Sequence, residues 1–72
     1  MPQTKLSAQT LMDRIETLTH RKARLEDQIE RDLRAGTSDD MRLARLRQET
    51  LGLRDAIRVT RTVLSQTRAR AA

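Results

Sequence analysis

The stretch Ala35-Gly36-Thr37-Ser38-Asp39-Asp40 lies at the midpoint of a chain of 72 residues, and its reading decides the fold. Gly36 suits the position just past a helix C-terminus, where a left-handed conformation costs glycine nothing. Thr37 or Ser38 then suits the N-cap of a second helix. Asp39 and Asp40 fall in its first turn, where free amides and the positive end of the helix dipole favour carboxylates. A helix stop followed at once by a helix start turns the chain back on itself. The expected architecture is all-α, an antiparallel two-helix hairpin with coiled-coil-like packing: helix 7–35, turn 36–38 and helix 39–68. Residues 1–6 read as a frayed lead-in and 69–72 as a frayed tail, because neither carries a periodic apolar signal.

Outward from the turn, both arms show the same apolar spacing. Helix one places Ala8, Leu11, Ile15, Leu18, Leu25, Ile29 and Leu33 on one seam, with Lys22 filling the polar slot. Helix two answers with Leu43, Leu46, Thr50, Leu53, Ile57, Thr60 and Leu64. Steps of three and four give a period near 3.5 residues, the signature of helix-on-helix packing. In an antiparallel pair, facing layers have residue numbers with a constant sum. Leu11 with Leu64, Ile15 with Thr60, Leu18 with Ile57, Lys22 with Leu53, Leu25 with Thr50 and Ile29 with Leu46 all add to 75. The position of the turn independently predicts the same value. At the far end, Ser7 is a candidate N-cap, with Leu6 and Leu11 as a hydrophobic staple. Thr10 with Asp13 is a competing capping box one turn later.

Composition excludes several function classes. There is no cysteine, hence no disulfide or thiolate metal site, and no Phe, Tyr or Trp, hence no base-stacking platform or aromatic cofactor pocket. No apolar run is long enough to span a bilayer and no apolar h-region marks a secretory signal, so a cytoplasmic protein is expected. His20 is the sole histidine, one turn after Glu16, and a metal centre needs several converging ligands. Carboxylates alternate with arginines at helical spacing, Asp27 with Arg31 and Glu30 with Arg34, as solvated pairs. No nucleophile elbow, Gly-rich phosphate loop or zinc motif is present. The expectation is therefore a non-enzyme with no catalytic residue, metal or cofactor. Lys22 in the seam reads as a register device whose stem lies on the core while its ammonium reaches water.

Two surfaces remain as functional candidates. Two long arms that touch along one stripe bury little surface for so short a chain, which predicts self-association into a dimeric four-helix bundle. Leu51, Ala56, Val59 and Val63 lie beside or outside the helix-two seam, as Met12 does on helix one. Gly52 mid-helix fits either close approach of a partner helix or tolerated drift. The second surface is basic. Lys and Arg total 15 against ten acidic residues, and two of the 15 are Lys, leaving 13 Arg. Residues 1–36 hold seven basic and six acidic groups, net +1. Residues 37–72 hold eight and four, net +4. Arg47, Arg54, Arg61 and Arg68 recur every seven residues, with Arg58 beside them, as a stripe suited to a phosphate backbone. The competing reading pairs Arg47 with Glu26 across the hairpin and leaves the others solvated.

Two segments also carry a family likeness. Leu51-Gly52-Leu53-Arg54-Asp55-Ala56-Ile57 and Leu25-Glu26-Asp27-Gln28-Ile29 resemble the second- and first-helix motifs of the YdcH-like family, small and mostly uncharacterised bacterial proteins that form helical hairpins. The family's histidine position holds Lys22 here, and its basic segment is thinned to Arg47 and Thr50. The resemblance implies a hairpin in a bacterial cytoplasm and no enzymatic activity, and it marks Leu51 to Asp55 as a shared partner surface. The leading expectation is a small helical interaction module that binds an unknown protein partner through Leu51, Gly52, Leu53, Arg54, Asp55, Val59 and Val63. The alternative is a nucleic-acid-associated basic protein that contacts phosphates, without sequence preference, through Arg47, Arg54, Arg58, Arg61 and Arg68.

Overall fold

The computed structural model describes residues 7–36 and 39–71. Two helices account for nearly all of them: α1 (Ala8–Ala35) and α2 (Asp40–Ala71). They pack against each other along their length in a molecule 51 × 22 × 16 Å in extent. The hairpin is thus as expected, with α2 continuing through Ala71 where fraying after Arg68 was anticipated. Arg68 and Arg70 in that last turn face the negative end of the dipole, which favours the extra turn.

Local chemistry sets both helix ends. The Ser7 hydroxyl accepts from the Thr10 amide at 3.1 Å, and the Leu11 amide reaches the Ser7 carbonyl at 3.1 Å. The helix therefore starts at Ala8, not one turn later. Leu6 lies outside the described residues, so the staple does too. Gly36 adopts φ 66° and ψ 13°, and its amide donates to the Leu33 carbonyl at 3.3 Å. On the other side of the turn the expected cap is corrected. Thr37 and Ser38 lie outside the described residues, and Asp39 holds the N-cap position. Its carboxylate accepts from the Met41 amide at 3.0 Å, and its carbonyl accepts from the Leu43 amide at 3.0 Å. Only Asp40 is in the first turn of α2.

The core is one line of side chains. Leu11, Leu18, Leu43, Ile57 and Leu64 are buried, as is Thr60. Ala8, Ile15, Lys22, Leu25, Ile29, Leu46, Thr50 and Leu53 are half-buried. Thr50 and Thr60 occupy seam slots without leaving a polar atom stranded: each hydroxyl donates to the carbonyl four residues back, Leu46 and Ala56.

One seam residue is wrong by a single position. Leu33 is 51% exposed, and Asp32 takes the slot instead. The physical reason is the alternation itself. After the step of four from Leu25 to Ile29, the next inward position is three residues on, because 3.6 residues per turn must track a 3.5-residue seam. Asp32 thereby comes level with Leu43 in the register that adds to 75. Its carboxylate, 17% exposed, accepts from Nε of Arg42 at 2.9 Å. This ion pair joins the two helices next to the turn.

The two glycines give opposite expectations. A Cβ at Gly36 meets nothing within 4 Å, so the cost of Gly36→Ala is the left-handed backbone alone, about 1–2 kcal/mol. Gly52 is also open but helical, so Gly52→Ala stabilises the monomeric hairpin by about 1 kcal/mol. Thermal unfolding followed by circular dichroism checks both: the midpoint falls for the first and rises for the second, by roughly 4–8 °C per kcal/mol for a domain of this size.

Candidate functional site

Arginines one residue past alternate seam slots flank the core on α2: Arg47 follows Leu46, Arg54 follows Leu53, Arg61 follows Thr60 and Arg68 follows Thr67. Seven-residue spacing keeps them on one edge as the helices wind. The guanidinium of Arg68 donates to the thioether sulfur of Met12 on α1 at 3.3 Å. In the register that adds to 75, Arg68 lies past the layer of Leu11 and Leu64 toward the open end, and its long side chain reaches back along the edge to Met12.

The expected Arg47–Glu26 pair does not form among the described residues; Glu26 lies 3.9 Å from Nζ of Lys22 instead. Nor does an ion pair link Asp27 to Arg31 among the described residues. Besides Lys22–Glu26, the intrahelical pairs among the described residues are Glu30–Arg34, as expected, Asp55–Arg58 at 2.6 Å, and Glu16–His20 at 3.8 Å. All these groups are mostly exposed, so each pair contributes a few tenths of a kcal/mol at most.

Between the flanks runs an open groove of about 440 Å³, lined by Thr19 and Lys22 from α1 and by Arg54, Ile57, Arg58, Arg61, Thr62 and Ser65 from α2. Four cations and three hydroxyls line it, and no carboxylate does. Asp55 draws on Arg58 and Glu26 draws loosely on Lys22. Arg54 and Arg61 have no carboxylate within 4 Å among the described residues. Three of the five arginines expected to contact phosphate, Arg54, Arg58 and Arg61, are brought together here. Arg47 lies beyond the groove toward the turn and Arg68 beyond it toward the open end. Lys22 was legible only as a seam residue. Its membership in the groove depends on the offset between flanks, which a single-helix pattern does not contain. Its side chain is 29% exposed.

The expected partner face divides in two. Leu53 is half-buried in the seam. Leu51, Arg54, Asp55 and Arg58 line a shallow hollow of about 410 Å³ on the groove side of α2. At 3.6 residues per turn, Gly52, Ala56, Val59 and Val63 instead run along the opposite flank. Leu51 is 57%, Val59 48% and Val63 36% exposed. The spacing of four, three and four from Gly52 through Ala56 and Val59 to Val63 repeats the seam pattern on a second line. On the outside of α1, Thr17, His20, Arg21 and Arg24 line a separate shallow hollow from a single helix. Among the described residues no group of three His, Cys, Asp or Glu side chains is placed to hold a metal ion, and no helix is long and apolar enough to cross a membrane. Neither a protein-family model, a curated protein nor a solved structure matches the chain.

Among the described residues, Lys22 is the one cation that both occupies a core slot and lines the groove with other cations. Lys22→Leu is expected to raise hairpin stability by about 1 kcal/mol, since a leucine opposite Leu53 completes the seam and removes a like charge. Urea unfolding monitored at 222 nm measures this, and an unchanged or lowered midpoint contradicts it.

Proposed function

We propose that this chain is a non-enzymatic helical interaction module that associates with a second copy of itself as a four-helix bundle and presents the remaining helix faces to a protein partner. The observation that carries the reading is surface left uncovered. The chain exposes 6055 Å², against about 4,600 Å² for a compact monomer of 8.3 kDa. The excess, about 1,500 Å², exceeds the roughly 800 Å² that each partner commits to a standard interface. The line Gly52, Ala56, Val59 and Val63 suits such a contact: it has heptad spacing, small side chains and no charge. Leu51, Arg54 and Asp55, from the segment through which the chain resembles the YdcH-like proteins, then support a partner surface on the other side of α2, in a bacterial cytoplasm.

A second reading, association with nucleic acid, is supported by the groove in which Lys22, Arg54, Arg58 and Arg61 converge. Its predicted binding is salt-dependent and indifferent to sequence, because the chain has no aromatic side chain to stack on bases.

Sedimentation equilibrium tests the first reading. The chain should sediment as a dimer at tens of micromolar, and Val59→Asp with Val63→Asp should return it to a monomer of unchanged helicity. A monomeric mass for the unmodified chain at high concentration overturns the bundle.

A further inference from the structure

Both helices contribute cations to the groove, and this has a consequence for how it binds. We propose that Lys22, Arg54, Arg58 and Arg61 form a two-helix clamp for the phosphodiester backbone of nucleic acid, so that binding and closure of the hairpin are linked. The inference rests on the second reading above and adds the site's membership, its ligand and its coupling to the fold.

The spacing fits the ligand. Arg54 to Arg61 spans about 10 Å of helix rise, and one strand of duplex DNA carries a phosphate every 3.4 Å of its axis, so about three phosphates lie over that length. Lys22 reaches the same groove from α1. Arginine suits planar, bidentate contact with phosphate oxygens, and lysine adds a point charge. Among the described residues the hydroxyl of Ser65 has no hydrogen-bond partner, and it can donate outward. Those of Thr19 and Thr62 already donate to the carbonyls of Ile15 and Arg58, and can still accept. Without ligand, the groove holds like charges on both helices, and their repulsion opposes closure. A polyanion between them reverses that sign. Glu26, drawn to Lys22 at 3.9 Å, and Asp55, paired with Arg58 at 2.6 Å, are the competing anions, and a bound phosphate must displace them.

An acidic protein segment is the less favoured ligand. Ile57 is the single large aliphatic side chain in the lining, so the groove offers no row of apolar side chains for a helix to pack against.

Fluorescence anisotropy with a labelled random-sequence duplex, over a series of potassium chloride concentrations, tests the clamp. The expected slope of log K against log salt is about −3 to −4, for three or four phosphates at about −0.9 each. Lys22→Gln should make the slope shallower by about one although it lies on the other helix, Glu26→Gln should tighten binding, and Arg45→Gln, on the far side of α2, should change neither. Duplex should also raise the thermal midpoint of the hairpin, less so in Lys22→Gln. If Lys22→Gln binds as the unmodified chain does while Arg54→Glu with Arg61→Glu does not bind, a stripe on α2 alone is responsible and the clamp fails while the second reading stands. If no form binds duplex at low salt, both fail. Displacement of the duplex by polyglutamate at equal charge also overturns the assignment to phosphate.

Discussion

The seam between α1 and α2 is the interaction on which everything else depends. Each helix has one stripe to bury and only one neighbour to bury it against. Once Leu11 is set against Leu64 and Leu18 against Ile57, every other position on both helices has a fixed height and a fixed distance from the core. The flanks inherit their offset from the seam, and the groove inherits its lining from the flanks. Function on such a molecule is a matter of register: moving one helix by a single residue would separate Lys22 from the arginines without changing the composition of either surface.

The two surfaces make different physical demands and are segregated accordingly. The apolar line through Gly52, Ala56, Val59 and Val63 needs a dry partner. The cationic groove needs a wet, charged one. They lie on opposite flanks of α2, whose apolar residues are spread around more of its circumference than those of α1. Association through one flank therefore leaves the other open. A dimer built on the apolar line carries two grooves, and a chain of phosphates long enough to reach both is held with the advantage of effective concentration.

Much of this fold is legible from residue spacing because helices obey one period and a hairpin has one register. Gly36 marked the turn, and the seam residues from Leu11 to Ile29 and from Leu43 to Leu64 face inward as the steps of three and four require. Two failures are instructive. At Leu33, apolar character argued for the core while the alternation of steps pointed to Asp32, and geometry prevailed because a helix cannot rotate locally to suit one side chain. At the start of α2, Thr37 or Ser38 was expected as the cap and Asp39 in the first turn; all three side chains can cap, and Asp39 takes the N-cap position. The groove was legible in part. Arg54, Arg58 and Arg61 stood out as a periodic stripe, whereas the place of Lys22 among them depends on how the two helices pack, a property of the pair.

The distribution of burial along the seam bears on how the hairpin folds. Asp32 and Leu43 close a loop of about eleven residues, and Leu11 and Leu64 close one of about fifty, which costs about 1.4 kcal/mol more in chain entropy. Closure is cheapest at the turn, yet five of the six buried side chains, Leu11, Leu18, Ile57, Thr60 and Leu64, lie in the half farthest from it. Beside the turn, Leu43 is buried opposite the ion-paired Asp32, and the next inward slots hold half-buried aliphatics. Most of the burial thus comes with the layers that form last. A hairpin arranged in this order gains little from stopping halfway, so its arms close and open as a unit instead of zipping through stable intermediates.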